Sequence, residues 1–258
     1  MSNESHDPIR RAAVESIVVL GVAGALLVPS GLILPGRAEK RAAGRGEKRH
    51  EPRREPGEDV SATEDLMREH GVLRRTLIVY AELAGRLRAD ESVQFDPAAL
   101  AAAAKLFHDF GEEYHERILE EQHVFPQARA LGAAQSKLVD VLLRQHQRGR
   151  EITDYIHRIG KSGRIGSGDR QPLSRVLAGM NRMYEAHAAW EDTALFPAWK
   201  KTMSKERLDQ IAEEFEEIEH QRFGKDGFDE ALATVVRIEQ ALGLSDLGGY
   251  TAPPPESG

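Results

Sequence analysis

The chain has 258 residues, with 35 lysines and arginines against 42 aspartates and glutamates, a formal net charge of −7 and no cysteine. The lack of cysteine excludes disulfides, thiolate metal sites, a cysteine-linked lipid anchor and cysteine nucleophiles. The mildly acidic balance argues against general nucleic-acid binding. Strand patterns are scarce, and Ala, Leu, Glu and Arg dominate, so the predicted fold class is all-α.

Residues 1–36 are predicted to be a signal peptide or a membrane anchor. Arg10-Arg11 precede an apolar run from Ile17 to Leu34, which suggests twin-arginine export, although most of the flanking residues of such a signal and a small-x-small cleavage site are missing. The run is just long enough to span a bilayer, and the basic residues after it favour a cytoplasmic flank. We expect a membrane-associated or exported (periplasmic) protein, with the cytoplasmic face of the membrane as the alternative.

Residues 37–60 are charged and almost free of apolar side chains, so they are predicted to be a flexible linker. Residues 61–224 are predicted to form a helical bundle. The first helix starts near Ser61, where Glu64 completes a capping box, and the second runs from Asp96-Pro97 to Val124. The third helix is predicted over about 135–159. The fourth begins near Pro172, after a Gly- and Ser-rich loop at 160–169. Two further helices are predicted over 204–222 and 228–242. The last of these and a loose tail make up residues 225–258.

The stretch Met180–Lys200 carries the strongest chemical pattern. His187 and Glu191 are four residues apart, so on a helix they lie on one face, one turn from each other. We expect Phe196-Pro197 to end this helix, because a residue before proline disfavours the helical conformation. A single pair of this kind is more often a surface hydrogen bond than a metal site. The apolar positions of this stretch, Met183, Ala186, Trp190 and Ala194, recur at helical spacing.

A second copy of the pattern raises the case for metal. Residues 114–129 again contain a histidine, paired acids and Phe-Pro, and aligning the two Phe-Pro pairs places Glu120-Glu121 over Glu191-Asp192. Each copy also follows a His-x3-Arg motif, which begins at His70 in one case and at His146 in the other. The chain is therefore predicted to be a tandem repeat of helix pairs, with four histidines and two glutamates inside a four-helix bundle.

In the second helix, His115 and Glu120 are five residues apart, which an ideal α-helix would place about 140° from each other. A one-residue π-bulge between Glu116 and Glu120 would restore the register. Glu116 and Glu121 are alternatives to Glu120, which we favour because it aligns with Glu191.

With the phrases EEQHVFP and EDTALFP, these residues resemble the hemerythrin-like (HHE cation-binding) family over about 61–224. The resemblance implies an up-down four-helix bundle with further C-terminal helices, and a centre of two non-haem iron ions bridged by glutamates. It also implies binding of dioxygen, nitric oxide or peroxide. The implied metal ligands are His70, His115, Glu120, His146, His187 and Glu191.

One departure from the family concerns the third helix. Oxygen carriers of the family have a further histidine where this chain has Arg150, so a coordination position is left open or water-filled. This weakens the case for a reversible oxygen carrier. The candidates for supporting the ligands are Arg74, Arg150, Tyr184, Glu116 and Glu121. Arg74 is either a partner of a carboxylate or an ordinary surface arginine, and Tyr184 either donates to a metal-bound ligand or points to solvent.

Three functions follow from these observations. The leading hypothesis is a di-iron protein that binds a small ligand for sensing, storage or detoxification, and a binding or sensing role is favoured over an enzyme with turnover. The ligand types alone suit iron, zinc and manganese, so iron rests on the resemblance. The second is a ferritin-like ferroxidase or peroxidase, since Glu-x-x-His motifs begin at Glu112, Glu120 and Glu217. The third is a membrane-tethered helical module without chemistry.

Overall fold

The computed structural model describes residues 60–89, 95–224 and 226–255. These residues are helical or irregular and contain no strand, which confirms the all-α class for the part of the chain that is described. No helix within these ranges is long and apolar enough to cross a membrane. The predicted signal peptide or anchor at 1–36, and the linker at 37–60 apart from Val60, lie outside the described residues.

Four long antiparallel helical segments form the bundle, and two helices follow them. The helices are α1 (Ala62–Ala89), α2 (Pro97–Leu106), the π-helix π1 (Phe107–Val124), α3 (Phe125–Arg129), α4 (Ala133–Lys161), α5 (Ser167–Trp190), the π-helix π2 (Glu191–Leu195), α6 (Phe196–Lys200), α7 (Lys205–Phe223) and α8 (Gly227–Leu242). Segments α2–π1–α3 and α5–π2–α6 each form one continuous helical rod. These rods correspond to the second and fourth helices predicted from the sequence.

Side-chain caps fix two helix starts where the sequence predicted them. The backbone N–H of Ser61 donates to Glu64 Oε2 at 3.0 Å, and the N–H of Glu64 donates back to Ser61 Oγ at 3.4 Å. At the next helix, the N–H of Ala98 donates to Asp96 Oδ1 at 2.9 Å. These bonds satisfy backbone donors that have no partner inside the helix.

Three predicted helix boundaries are wrong. The fourth long helix begins at Ser167 rather than near Pro172, so Pro172 lies inside the helix, in its second turn, where it leaves one backbone hydrogen bond unmade. Phe125-Pro126 and Phe196-Pro197 do not end their helices. Each proline lies in the first turn of the α-helical segment that follows a π-helix, and the first turn of an α-helix tolerates proline.

Cross-helix contacts establish the up-down arrangement. Along α1, Leu77 O accepts from Asn181 Nδ2 at 3.0 Å and Ala84 O accepts from Ser174 Oγ at 2.8 Å, so α5 runs antiparallel to α1. Glu121 bonds to His146 and Glu116 to Arg150, which makes α4 antiparallel to π1. The predicted tandem helix pairs therefore pack side by side.

The interior of the bundle is apolar above and below its polar middle. Large aromatic side chains are almost fully buried there, and each contributes about 1.5–3 kcal/mol to folding. Helix α8 packs against α1 and α2, and α7 packs against α1 and π1. An ion pair between Arg75 and Glu239 joins α8 to α1, so the C-terminal helices cover the outer side of the first helix pair. The buried aromatic residues include Phe107, Phe110, Tyr114, Phe125, Phe196 and Trp199.

Candidate metal centre

The π-helix π1 aligns two of the predicted ligands. We predicted a single-residue π-bulge between Glu116 and Glu120, whereas 18 residues of this segment are π-helical. Hydrogen bonds from i to i+5 place residues five apart one above the other. As a result, His115 Nε2 lies 3.3 Å from Glu120 Oε1. The prediction was correct in kind and wrong in extent.

Glu120 lies between the two helix pairs with its two oxygens facing different histidines. Its Oε1 faces His115 of its own helix, and its Oε2 lies 3.3 Å from Nε2 of His146 on α4. The carboxylate has no exposed surface. This is the orientation of a carboxylate that can bridge two ions.

Glu191 has the equivalent place in the second repeat, at the first residue of π2. Its Oε2 lies 3.0 Å from Nε2 of His187 on α5 and 3.5 Å from Nε2 of His70 on α1. The structure thus brings together all six residues that the sequence singled out as ligands, each at most 3% exposed. Nε2 of His146 and Nε2 of His187 are 3.1 Å apart, which closes the cluster.

Each histidine turns its other ring nitrogen outward to an acceptor. Nδ1 of His70 donates to Asp192 Oδ1 at 2.7 Å, and Nδ1 of His146 donates to Glu121 Oε1 at 2.9 Å. Both bonds connect one helix pair to the other. An Nδ1–H bonded in this way leaves the Nε2 lone pair directed at the centre of the bundle.

The other two histidines are oriented from within their own repeat. Nδ1 of His115 donates to Glu69 Oε2 at 2.5 Å, and Nδ1 of His187 donates to Gln145 Oε1 at 3.0 Å. Glu69 and Gln145 each precede the ligand histidine on the first helix of their pair. The two repeats are therefore related by an approximate two-fold axis. The symmetry is broken at this position, where the first repeat has the carboxylate of Glu69 and the second has the amide of Gln145.

Two arginines continue the same symmetry. Arg74 donates to Asp192 Oδ2 at 2.8 Å, and Arg150 donates to Glu121 and, at 3.4 Å, to Glu116 Oε2. Arg74 is thus a carboxylate partner rather than an isolated surface arginine. Glu121 and Glu116 approach the Nδ1 side of His146, so they face away from the side where Glu120 lies. With His146 they form a third group of residues that could hold a metal ion.

Burial and neighbouring charges give chemically similar groups of the centre very different pKa values. Burial, followed by the charge of His146, lowers the pKa of His187 to about 3. The pKa of His146 is raised to about 10 against the effect of burial, because Glu116 and other carboxylates surround it. Burial and the charge of Glu120 raise the pKa of Glu191 well above its usual value. Without a cation, the centre is therefore an electrostatically strained group of buried acids and imidazoles.

The unpartnered polar atoms fit a metal ion. Both oxygens of Glu120, both oxygens of Glu191 and Nε2 of His115 are buried without a hydrogen-bond partner among the described residues. Buried polar atoms are nearly always bonded, so five such atoms at one point need a ligand. Two imidazole nitrogens about 2.1 Å from one ion lie about 3 Å apart, close to the separation of the His146 and His187 nitrogens. Imidazole nitrogen and carboxylate oxygen suit first-row metals.

A small cavity adjoins the centre. Its walls include Leu73, Leu77 and Ala188 with ligand histidines at one side, and it has room for a water-sized molecule. Tyr184 and Glu116 also line it, and the tyrosine hydroxyl donates to Glu116 Oε1 at 2.7 Å. The tyrosine is buried, so the expectation that its hydroxyl points to solvent is wrong.

Residues 61–198 of this chain match the model of the family described as Hemerythrin HHE cation binding domain. The chain belongs to this family. It is 42% identical over 195 residues to the uncharacterized protein Mb2018 of Mycobacterium bovis and to the uncharacterized proteins MT2051 and Rv1995 of Mycobacterium tuberculosis, and these alignments cover 74% of each chain. No solved structure matches it. Hemerythrin-like domains bind metal ions, typically iron, and the clustered histidines and glutamates of this chain are suited to that role.

Three residues of this hemerythrin-like centre were missed from the sequence. Glu69 and Gln145 each precede a predicted ligand, and Asp192 follows one, yet none stood among the supporting candidates. Asp192 aligns with the candidate Glu121, so the repeat itself carried the signal for it. Glu69 and Gln145 occupy equivalent positions but differ in charge, which concealed their shared role.

The ferritin-like ligand set is not assembled in the described residues. Glu217 is exposed on α7 and its Oε1 accepts from the Gln221 side chain, while His220 is also exposed. His123 packs its ring against Phe215 outside the cluster. The Glu-x-x-His motifs at Glu120 and Glu217 therefore do not bring their histidines to the centre.

Proposed function

We propose that the chain holds two iron ions and binds dioxygen, nitric oxide or peroxide beside them, for sensing, storage or detoxification. The observation that carries this proposal is the convergence of four buried Nε2 atoms on two carboxylates whose oxygens have no other partner. Iron follows from the family, since imidazole and carboxylate also suit zinc and manganese.

The geometry supports a division of the ligands between two ions. His146 and His187 form one group with Glu120 and Glu191, and His70 and His115 form another that shares Glu120. Bound iron supplies a redox-active Lewis acid at this point. The chain orients the imidazoles through their Nδ1 bonds and keeps bulk water away from the reacting side.

The adjoining cavity supports a small ligand rather than a large substrate. Its size and apolar walls at Leu73 and Leu77 suit a diatomic molecule or peroxide. Arg150 stands where oxygen carriers of the family have a histidine, and a guanidinium does not lose its proton to bind a metal. It is engaged with Glu121 and Glu116 instead, so the proposal favours sensing or peroxide chemistry over oxygen transport.

The proposal is tested by metal analysis and optical spectroscopy of the full-length chain, loaded with ferrous iron without oxygen and then exposed to air. We expect two irons per chain and a new charge-transfer band. His187→Ala should lose at least one iron. His108→Ala, which removes a half-exposed histidine that is not among the candidate ligands, should keep both irons. Wild-type protein without iron or band, or His187→Ala with both irons, would overturn the proposal. Export or membrane association remains a prediction from residues 1–36.

A further inference from the structure

Trp190, the last residue of α5, is 60% exposed, although it lies between the candidate ligands His187 and Glu191 in the sequence. Its indole makes no hydrogen bond and no contact with another ring among the described residues. A tryptophan side chain is mostly buried in folded proteins, because it carries a large apolar surface. The apolar surface of Trp190 is therefore available to a partner.

The exposed apolar surface continues from Trp190 onto the neighbouring helix. Helices α4 and α5 are joined by a short loop and run antiparallel, and Gln145 on α4 bonds to His187 on α5 at 3.0 Å. About one turn beyond this bond lie Val141 on α4, which is 41% exposed, and Trp190 on α5. We call this surface the Trp190 face, and it consists of Val141, Met183, Ala186, Trp190 and Ala194, all exposed or half-buried.

The charged side chains beside the Trp190 face include three exposed basic residues. Lys137 and Arg144 lie on α4, and Arg182 lies on α5. None of the three forms an ion pair among the described residues. Their charges are therefore not neutralised within this part of the protein.

The acidic side chains of the same stretches have basic partners elsewhere. Asp140 on α4 pairs with Arg129 at 2.6 Å, and Glu185 and Asp192 lie beside Arg74 of α1. The surroundings of the Trp190 face are thus positive, although the chain as a whole has a formal net charge of −7. Such a face attracts an anionic partner and repels a second copy of itself.

We propose that the Trp190 face binds the surface of a bilayer that contains anionic lipid. An indole ring is favoured at the boundary between headgroups and acyl chains, and lysine and arginine side chains reach the lipid phosphates. Exposed Trp190 with Val141 supplies the apolar contact, and Lys137 with Arg144 supplies the charge. The inference goes beyond the proposed function, because it does not require a metal ion or a small ligand.

The length of the chain before α1 allows this contact. Because α1 runs antiparallel to α5 and packs against α6, it begins at the end of the bundle where α6 lies. Trp190 lies about 15 Å from Lys200 along the helical rod, at about 1.5 Å per residue. Residues 37–59 can extend to about 80 Å. If the apolar run at 17–34 enters a bilayer, as the sequence predicts, the linker is long enough for the Trp190 face to reach the same bilayer.

The two tryptophans of the chain make the contact measurable in the full-length protein, since Trp199 is fully buried and serves as an internal reference. The protein is mixed with vesicles of phosphatidylglycerol and phosphatidylcholine whose acyl chains carry bromine, which quenches indole fluorescence on contact. We expect the emission of Trp190 to shift to shorter wavelength and to be quenched. Trp190→Phe should leave only the unquenched emission of Trp199. Binding through residues 1–36 alone would leave Trp190 in water, so the readout is specific for the face.

Charge variants test the basic residues of the proposed contact. Lys137→Gln and Arg144→Gln should each lower the ratio of lipid-bound to water-exposed Trp190 about fivefold, because each removes one charge near the anionic surface. Arg237→Gln on α8 is the matched control, since it removes an exposed charge on another helix and should leave the ratio unchanged. Vesicles of phosphatidylcholine alone should give much weaker quenching than the anionic vesicles.

A pair of apolar variants tests the hydrophobic part of the contact. Val141→Ser removes apolar area from the Trp190 face and should lower the same ratio. Ile78→Ser is its control, because Ile78 on α1 is likewise 41% exposed but lies outside the face. Equal effects of the two substitutions would contradict the assignment of the face.

Two further outcomes would overturn the inference. Trp190 that stays unquenched by brominated lipid and open to acrylamide, while the chain is bound to vesicles, would leave the face to an acidic protein. A shift of Trp190 emission that depends on protein concentration without vesicles would assign the face to a second copy of the chain. The readout needs no iron, so lipid quenching in a protein that takes up no iron would support this inference while overturning the proposed function.

Discussion

His70 and Asp192 are 122 residues apart in the sequence, yet Nδ1 of the histidine donates to a carboxylate oxygen of the aspartate at 2.7 Å. Arg74 bonds to the other oxygen of the same carboxylate. The bond therefore does two things at once. It fixes the tautomer of a candidate ligand, and it joins the first helix pair to the second across the middle of the bundle.

Asp192→Asn is expected to weaken metal binding without unfolding the protein. An asparagine at this position is a neutral acceptor and can present its N–H₂ group to the ring, so His70 loses the partner that orients Nε2. Loss of such a partner typically costs 10–100-fold in metal affinity. Glu121→Gln, the counterpart at His146, should cost a similar factor. Competition with a chelator measures both.

The control for this pair is Asp209→Asn, which changes an exposed carboxylate that pairs with Lys205 on α7. Its metal affinity should equal that of wild type. An affinity for Asp192→Asn within a factor of two of the control would show that the bond is not needed for metal binding.

Gly149→Ala should displace Tyr184. A Cβ atom at Gly149 would lie 1.9 Å from the tyrosine hydroxyl, so the ring must move and its bond to Glu116 must break. Overpacking of this kind costs about 1–3 kcal/mol of unfolding free energy. Gly179→Ala on α5 is the matched control, because its Cβ would meet nothing within 4 Å and the change should stabilise the helix by roughly 0.5–1 kcal/mol. Urea unfolding of the metal-free proteins compares the two. A stabilised Gly149→Ala would contradict the close packing.

The repeat in the sequence was sufficient to predict which residues meet at the centre. His70, His115, His146 and His187 are spread over more than a hundred residues, but the duplicated His-x3-Arg and Glu-acid motifs relate them by symmetry. Spacing also predicted a departure from α-helical geometry after His115. What spacing could not supply is the length of that departure, because π-helical hydrogen bonding over Phe107–Val124 depends on packing against the other helices.

The apolar positions of the fourth helix lie one residue away from its buried face, which carries the predicted ligands. The apolar positions Met183, Ala186 and Trp190 suggested a buried stripe, yet Trp190 is 60% exposed and the buried stripe contains Tyr184, His187 and Glu191. One residue corresponds to about 100° on a helix. Hydrophobic periodicity fails at this point because the face that is buried carries polar ligands.

Glu191→Gln is expected to separate stability from metal binding. In the metal-free protein, Glu191 is a buried acid whose oxygens accept no hydrogen bond, and burial together with Glu120 raises its pKa strongly. A neutral glutamine of the same shape should therefore leave the metal-free protein as stable as wild type or more so. The metal-loaded wild type should gain stability with ion concentration, by about 2.7 kcal/mol at a hundredfold excess over the dissociation constant. The variant should not show this gain.

Thermal unfolding with and without ferrous iron checks the prediction, and Glu185→Gln provides an exposed control on the same helix. The control should show the full metal-dependent rise in melting temperature. An equal rise in Glu191→Gln would mean that Glu191 does not hold an ion.

Glu219 on α7 should make the free energy of unfolding fall as pH rises, which is opposite in sign to the effect of an acid whose pKa is lowered by folding. Burial raises its pKa from 4.5 to about 7, although its Oε1 accepts from the N–H of Phe228 at 2.6 Å. Between these two values the folded chain binds a proton that the unfolded chain has released, so the free energy of unfolding falls as pH rises from about 4.5 through about 7.

Glu219→Gln keeps an acceptor for Phe228 and removes the ionisation. The difference in unfolding free energy between Glu219→Gln and wild type should increase as pH rises across this window. The same difference for Glu217→Gln, a change at an exposed neighbour, should stay constant. Urea unfolding of the metal-free proteins at pH values on both sides of the window measures the difference, and parallel pH profiles for Glu219→Gln and wild type would refute the assignment.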